Sequence, residues 1–283
     1  MLFDSHTHSL FSPDADKMAA VERMSLQAYN LGLDFITVTD HCDVNFFLPA
    51  DECEYPEYQL RDKDMFGSRD YSAKSIDTVM TLKRKCKNLL CGVELGQPLQ
   101  APEFAAQVLS VPGLDFVIGS LHMNAGKPDF YWIEYDKMDI SEIYALLDDY
   151  FSEIFRMAQT ADFDSLGHLT YPLRYIEGEH NISVDMSRYD DIVREIFCAL
   201  IQNGKGIEIN TSGLRQKYSK PFPDEKYLRL YRSLGGEIIT IGSDAHKLPD
   251  IGGGIKEGTE LLSECGFRYI SLYRARKCEM IKL

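Results

Sequence analysis

The feature that most constrains the fold of this chain is a regular alternation of short apolar runs, rich in β-branched residues, with longer helix-prone stretches. Such alternation predicts parallel strands joined by right-handed crossover helices, and therefore a barrel or a doubly wound sheet. Strands are predicted at residues 2–4, 35–39, 89–93, 116–120, 165–169, 206–210 and 237–242. Helices are predicted at residues 17–31, 71–88, 101–110, 139–158, 188–203, 224–234 and 254–264.

Two observations favour the barrel over the open sheet. No Gly-x-Gly-x-x-Gly motif follows the first predicted strand, as it would in a dinucleotide-binding sheet. Polar residues instead recur at the carboxyl end of the predicted strands, where barrel enzymes carry their active sites. We predict one α/β barrel domain over residues 1–283, with a long insertion at about residues 44–72.

Six of the seven histidines lie at the predicted carboxyl ends of strands. His6 and His8 end the first strand, and side chains two positions apart on a strand point to the same side. A single histidine on a strand is more often structural, but independent structural histidines have no reason to gather at one rim. Histidine and carboxylate side chains are ligands of divalent ions. The pattern therefore predicts a metal site at the mouth of the barrel.

The motifs at these strand ends are HTH at 6–8, TDH at 39–41, GVELG at 92–96, GSLH at 119–122, GHL at 167–169 and GSDAH at 242–246. In this order they resemble the polymerase and histidinol phosphatase (PHP) superfamily over nearly the whole chain. The segments DHCDV at 40–44, GHLTYPLRY at 167–175 and EINTSGLRQ at 208–216 resemble its histidinol-phosphatase branch.

The resemblance implies a distorted (β/α)7 TIM-like barrel with a trinuclear site of divalent metal ions, which could be Zn, Mn or Fe. In the family pattern, one ion is held by His6, His8, Glu94 and Asp244, and Glu94 bridges to a second ion held by His122 and His168. The third ion is held by Asp14, His41 and His246.

Two arginines are expected to bind the substrate phosphate. Arg174 and Arg215 follow the fifth and sixth predicted strands, and guanidinium groups bind phosphoryl oxygens in bidentate fashion. The alternative is that each arginine pairs with a surface carboxylate. Asp40, which precedes a predicted ligand, could orient a histidine or cap the following loop.

The predicted catalytic residues are Asp244 and His122. Metal coordination lowers the pKa of bound water to about 7, so no protein nucleophile is required. The leaving alkoxide needs a proton or a metal ion, and the sequence does not choose between Asp244 and a histidine of the site.

By resemblance, the chain is expected to be a metal-dependent phosphomonoesterase that converts L-histidinol phosphate and water to L-histidinol and phosphate. The acidic stretch at residues 51–57 is expected to face the cationic groups of this substrate. The main alternative is a related phosphoesterase acting on nucleotides, oligonucleotides or phosphotyrosine. Amidohydrolase-like hydrolysis and a non-enzymatic scaffold role are more distant alternatives, and the latter would require a damaged ligand set.

The composition limits which binding partners and which cellular compartment can be expected. A formal charge of −14 argues against a nucleic-acid-coating protein, so the expected partner is a small phosphate ester. Seven scattered cysteines without a Cys-x-x-Cys motif indicate reduced thiols. No signal-like start or long apolar run is present, so we predict a cytoplasmic protein without a membrane span. The sequence does not indicate the oligomeric state.

Trp132 and the tyrosines near it are expected to pack in the core.

Overall fold

The computed structural model describes residues 1–44 and 69–283, so most of the predicted insertion and its acidic stretch lie outside the described residues. Within the described ranges, seven parallel strands follow one another in the order β1, β2, β4, β5, β6, β7 and β8, and a short strand, β3, pairs with β4. They are β1 (Phe3–Thr7), β2 (Phe35–Val38), β3 (His41–Asp43), β4 (Leu89–Gly96), β5 (Phe116–Ser120), β6 (Ser165–Leu166), β7 (Gly206–Asn210) and β8 (Ile239–Gly242).

The carboxyl ends of β8 and β1 meet and nearly close the sheet. Thr7 and Ala245 form a parallel bridge, the His8 amide donates to the Ala245 carbonyl at 2.9 Å, and the Asp244 amide donates to the His6 carbonyl at 2.8 Å. Gly242 allows this approach, because a Cβ atom there would lie 2.3 Å from Cβ of His6. The prediction of a distorted barrel is confirmed.

The helices cover the outside of the barrel, in the connections where they are predicted. The described ones are α1 (Val21–Asn30), α2 (Arg69–Leu82), α3 (Pro102–Leu109), α4 (Ile140–Thr160), α5 (Asp190–Gln202), α6 (Glu225–Ser233) and α7 (Ile255–Glu264). In α4, apolar residues spaced three or four apart, such as Ile143, Leu147 and Ile154, form the buried face. Asp139 begins this helix with a capping box that includes Glu142.

A C-terminal hairpin that the sequence did not predict covers the opposite end of the barrel from the histidines. Strands β9 (Tyr269–Arg274) and β10 (Lys277–Lys282) pair antiparallel. Ala275 and Arg276 between them have left-handed φ angles of 47° and 59°, as in a two-residue hairpin turn. The Ala275 amide donates to Asp115, just before β5, and Arg276 binds Asp164, just before β6.

None of the helices in the two described ranges is long and apolar enough to cross a membrane.

Candidate metal centre

Glu94, near the end of β4, is the centre of the site. Its Oε1 atom lies 3.1 Å from Nε2 of His122 and 2.8 Å from Nε2 of His168. The side chain is 1% exposed, so water cannot solvate its charge and only neighbouring groups can balance it. Its Oε2 atom faces three further imidazoles: Nδ1 of His41 at 2.8 Å, and Nε2 of His6 and of His8, both at 3.5 Å.

Two of these histidines have carboxylate partners on their outer nitrogens. Nδ1 of His6 lies 2.7 Å from Glu208 Oε1, and Nδ1 of His122 lies 2.9 Å from Asp43 Oδ1. An ionised carboxylate only accepts, so each Nδ1 carries a proton and donates it. In the neutral imidazole the Nε2 lone pair then points inward, which is the arrangement that carboxylate partners impose on metal-binding histidines.

His8 is fixed by a hydroxyl relay. Ser12 Oγ donates to Asp40 Oδ1 at 2.7 Å and lies 2.9 Å from Nδ1 of His8. Because the hydroxyl proton is used on Asp40, the serine oxygen accepts from Nδ1 of His8. Asp40 thus orients His8 through Ser12, and it also accepts from the Ser9 amide of the loop after β1 at 2.7 Å. These contacts match the predicted role of orienting a histidine; most of the loop that follows Asp40 lies outside the described residues.

The directions of these lone pairs indicate whether the residues fit a metal ion. Nε2 of His6 and Nε2 of His8 are 3.1 Å apart, with the two outer nitrogens already donating. Two lone pairs at that distance repel each other unless a proton or a metal ion lies between or beside them. Imidazole nitrogens together with carboxylate oxygens are the ligands of Zn, Mn and Fe, so the site fits divalent metal ions.

The remaining predicted ligands border the same centre. Asp244 Oδ1 lies 3.4 Å from Nε2 of His8, and Asp14 Oδ2 lies 2.9 Å from Nε2 of His246 and 3.6 Å from Nε2 of His41. All nine predicted ligands are therefore brought together. Among the described residues, four overlapping groups have donor atoms within 4.8 Å of one another: His6, His8 and Asp244; His6, Glu94 and His168; His8, His41 and His246; and His41, Asp43 and His122.

Asp244 has an unusual backbone. Its φ angle of 54° lies in the left-handed region, where aspartate and asparagine are among the few non-glycine residues tolerated. The Asp244 amide is held by the His6 carbonyl at 2.8 Å. The left-handed turn directs the carboxylate back over the barrel mouth rather than along the strand.

The charged groups of the metal centre shift one another's pKa values. Burial opposes charge on Glu94, but the neighbouring histidines, His122 first among them, outweigh it and hold the pKa of Glu94 well below its usual range. Burial also opposes charge on Asp244, but His6, His8 and Arg174 together outweigh it, so the pKa of Asp244 is likewise well below its usual range. Burial, together with the charges of His246 and His41, lowers the pKa of His8 far below its usual value. Two ionised carboxylates beside a neutral imidazole form a binding site for cations.

Arg174 lies at the edge of this centre. It begins a short π-helix (Arg174–Glu179), and its Nη2 donates to Asp244 Oδ2 at 2.9 Å and to Ser212 Oγ at 2.8 Å. Its guanidinium lies 5.0 Å from the centroid of the Tyr171 ring. The structure thus brings Arg174 to the mouth of the barrel beside a predicted catalytic carboxylate.

Arg215 was expected to reach the cavity, but it does not. Its Nη1 donates to the Gly253 carbonyl at 2.8 Å and its Nη2 to the Ser243 carbonyl at 2.7 Å. It is not among the described residues that line the cavity. The guanidinium instead holds the loop after β8, one residue from Asp244, and phosphate binding by Arg215 stays a prediction.

The metal centre opens into a cavity of about 370 Å³. Asp14, His41, Glu94, His122, His168, Asp244 and His246 line it, together with Arg174 and a second group consisting of Asp129, Tyr131, Trp132, Tyr171 and Tyr175. Trp132 is 37% exposed, so the expectation that it packs in the core was wrong. Burial raises the pKa of Asp129 to about 6.

The outer partners Glu208, Asp43 and Ser12 were not predicted from the sequence. A signal for Glu208 was present, because a charged residue in the middle of the apolar strand GIEIN must be paired if it is buried. Ser12 and Asp43 carried no comparable signal.

The fold and the site together define a metal-binding α/β barrel with ligands at the carboxyl ends of its strands. A family model described as the PHP domain matches residues 4–212. The chain belongs to the PHP domain family. It is 27% identical over 282 residues to a probable histidinol-phosphatase of Thermotoga maritima, covering 100% of both chains. It is 25% identical to the histidinol-phosphatase of Lactococcus lactis, covering 99% of this chain and 97% of that one.

Two solved structures share the fold. The first is the Lactococcus lactis histidinol phosphate phosphatase complexed with zinc, L-histidinol and phosphate, with a TM-score of 0.72, 24% identity and 98% of each chain covered. The second is a putative histidinol phosphatase from Listeria monocytogenes, with a TM-score of 0.72, 19% identity, and 90% of this chain and 99% of that one covered.

Proposed function

We propose that this chain is a metal-dependent histidinol-phosphatase, which converts L-histidinol phosphate and water to L-histidinol and inorganic phosphate. The observation that carries the proposal is the position of Glu94, whose two buried oxygens face five imidazoles at the mouth of the barrel. A carboxylate so placed suits a bridge between metal ions. The names of the full-length relatives supply the substrate.

The proposed centre holds three divalent ions, Zn, Mn or Fe. His6, His8, Glu94 and Asp244 would hold one, Glu94, His122 and His168 a second, and Asp14, His41 and His246 the third. When bound, such ions supply a nucleophile near neutral pH and neutralise phosphoryl oxygens.

Arg174 is the proposed phosphate ligand of the protein. Its Nε is buried without a hydrogen-bond acceptor among the described residues, and a phosphoryl oxygen would supply one. Nη2 remains on Asp244, so the guanidinium is held in place before substrate arrives. Asp244 and His122 are the proposed catalytic residues.

A substrate panel tests the activity. The protein loaded with zinc, manganese or iron should hydrolyse L-histidinol phosphate with a kcat/KM more than about 100-fold above that for AMP, phosphotyrosine or a short oligonucleotide. Phosphate release is the measurement. Equal rates across the panel would refute the substrate, and a preference for a nucleotide or phosphotyrosine would favour the alternative phosphoesterase.

Asp244→Asn tests the site. Asparagine also tolerates the left-handed backbone, so the melting temperature should change little while kcat falls by roughly 10²- to 10⁴-fold. Asp136→Asn is the matched control, because Asp136 is 76% exposed and pairs with His180 rather than with the metal centre. An Asp244→Asn protein that turns over like the control would contradict the assignment.

A further inference from the structure

The cavity extends from the metal centre to a carboxylate that takes no part in it. Asp129 is 8% exposed and lines the cavity, but it belongs to none of the four metal-holding groups of the described residues. Its Oδ1 accepts from the Tyr131 amide at 2.7 Å and from the Tyr171 hydroxyl at 3.3 Å. No donor in the described part of the chain reaches its Oδ2. Because Asp129 lines the cavity, its Oδ2 is open to a donor there, from a water or a ligand.

Four aromatic residues, the aromatic wall, surround Asp129: Tyr131, Trp132, Tyr171 and Tyr175. The rings of Tyr131 and Trp132 are 4.7 Å apart, and those of Tyr171 and Tyr175 are 5.4 Å apart and nearly perpendicular. Aromatic faces attract cations, and more strongly where water is excluded. A carboxylate among such rings is chemically suited to an ammonium or imidazolium group.

Tyr171 sets the direction of a bound ester. Its ring lies 4.9 Å from the His168 ring and 5.3 Å from the His122 ring, while its hydroxyl reaches Asp129. Tyr171 therefore lies between the metal centre and Asp129. A phosphoryl group held at the metal centre and Arg174 would leave the alcohol to extend past Tyr171 toward Asp129.

We propose that Asp129 determines specificity by binding a cationic nitrogen of the leaving alcohol, so that the cavity selects phosphate monoesters of cationic alcohols. The inference rests on the proposed function in taking phosphate ester hydrolysis as the reaction, but it does not require that the alcohol be histidinol. It assigns cation recognition to a residue of the barrel mouth, independently of the acidic stretch at residues 51–57.

The test compares Asp129→Asn with the wild type on two esters. L-Histidinol phosphate carries a cationic alcohol, and 3-phenylpropyl phosphate carries a neutral one of similar length. The ratio of kcat/KM for the cationic ester to that for the neutral ester should fall about 10-fold or more in the variant, as expected for losing a hydrogen bond between charged groups. Asparagine still accepts from the Tyr131 amide, so the 3₁₀ turn that Asp129 caps is kept.

Glu134→Gln is the matched control. It removes the same charge five positions away, from a side chain that is 69% exposed and pairs with Lys137, and it should leave the ratio unchanged. An unchanged ratio in Asp129→Asn, with the melting temperature and metal content of the wild type, would overturn the inference. So would an equal fall in Glu134→Gln.

Failure of the proposed function has a different signature. If the wild type ignores L-histidinol phosphate but prefers phosphoethanolamine or phosphocholine to 3-phenylpropyl phosphate, and Asp129→Asn loses that preference, histidinol is refuted and the role of Asp129 stands. A wild type that prefers neutral esters would overturn the inference, and a protein that hydrolyses no monoester would overturn both proposals.

Discussion

Single side chains outside the metal centre decide which way its imidazoles can bind. Glu208 Oε1 binds Nδ1 of His6, and its Oε2 accepts from the His168 amide at 2.9 Å and from Nδ2 of Asn210 at 3.2 Å. One carboxylate thus fixes the tautomer of one predicted ligand and the backbone of another. Because Glu208 is 1% exposed, no water competes for these bonds.

Glu208→Gln is expected to weaken metal binding by roughly 10- to 100-fold, the usual effect of changing an outer partner of a metal-bound histidine. The amide keeps the shape of the side chain but loses the charge that favours a proton on Nδ1 of His6. The measurement is bound metal per protein after dialysis against graded chelator. Glu237→Gln, at a side chain that is 68% exposed, is the control, and equal retention in both variants would contradict the role of Glu208.

At the scale of single residues, the sequence predicted the candidate ligands but not the side chains that hydrogen-bond to them and hold them in place. Strand-end motifs put His6 and Asp244 at one rim, because parallel strands end together. Glu208 is 202 positions from His6, and its contact depends on which face of β7 points into the barrel, because β8 lies between β7 and β1. The donors of Arg215 bind backbone carbonyls, and no motif distinguishes that role from phosphate binding.

At the scale of elements, hydrophobic alternation predicted the seven strands of the barrel and the helices between them, because each is buried on one or both faces. The C-terminal hairpin was not predicted. Its turn residues, Ala275 and Arg276, are not the glycine or asparagine that mark such turns, and its strand β10 is mostly exposed or half-buried. The three-residue strand β3 is too short to show a period.

Arg276 attaches this hairpin to the barrel. Its Nη2 lies 2.8 Å from Asp162 Oδ1 and 3.1 Å from Asp164 Oδ1. Arg276→Ala leaves the mostly buried Asp164 without its cation, so unfolding should become easier by about 1–3 kcal/mol. Urea denaturation measures this, and kcat of the folded protein should not change. Lys277→Ala in the same hairpin is the control, and an equally small effect in both variants would refute the attachment.

At the scale of the whole molecule, the metal centre joins strands from both halves of the chain. Ligands come from β1 and β4 in the first half of the chain and from the residues after β6 and β8 in the second, and Glu94 contacts His6 from the first half and His168 from the second. Bound ions therefore tie together distant elements and stabilise the folded state over the unfolded one.

Removal of metal by a chelator should abolish phosphate release and lower the melting temperature. Stabilisation is about 2.7 kcal/mol when free metal is 100 times its dissociation constant, which corresponds to a shift of roughly 5 °C or more. Differential scanning calorimetry with elemental analysis measures both, and added manganese or zinc should restore them. A metal-free protein that keeps its melting temperature and activity would contradict this role.

The meeting of β1 with the loop after β8 also fixes when the site can form during synthesis. His6 and His8 are translated more than two hundred positions before Asp244 and His246. A nascent chain therefore displays an incomplete ligand set until Asp244 and His246 have been made. Loading of the complete centre must be a late event, at or after release of the barrel from the exit tunnel.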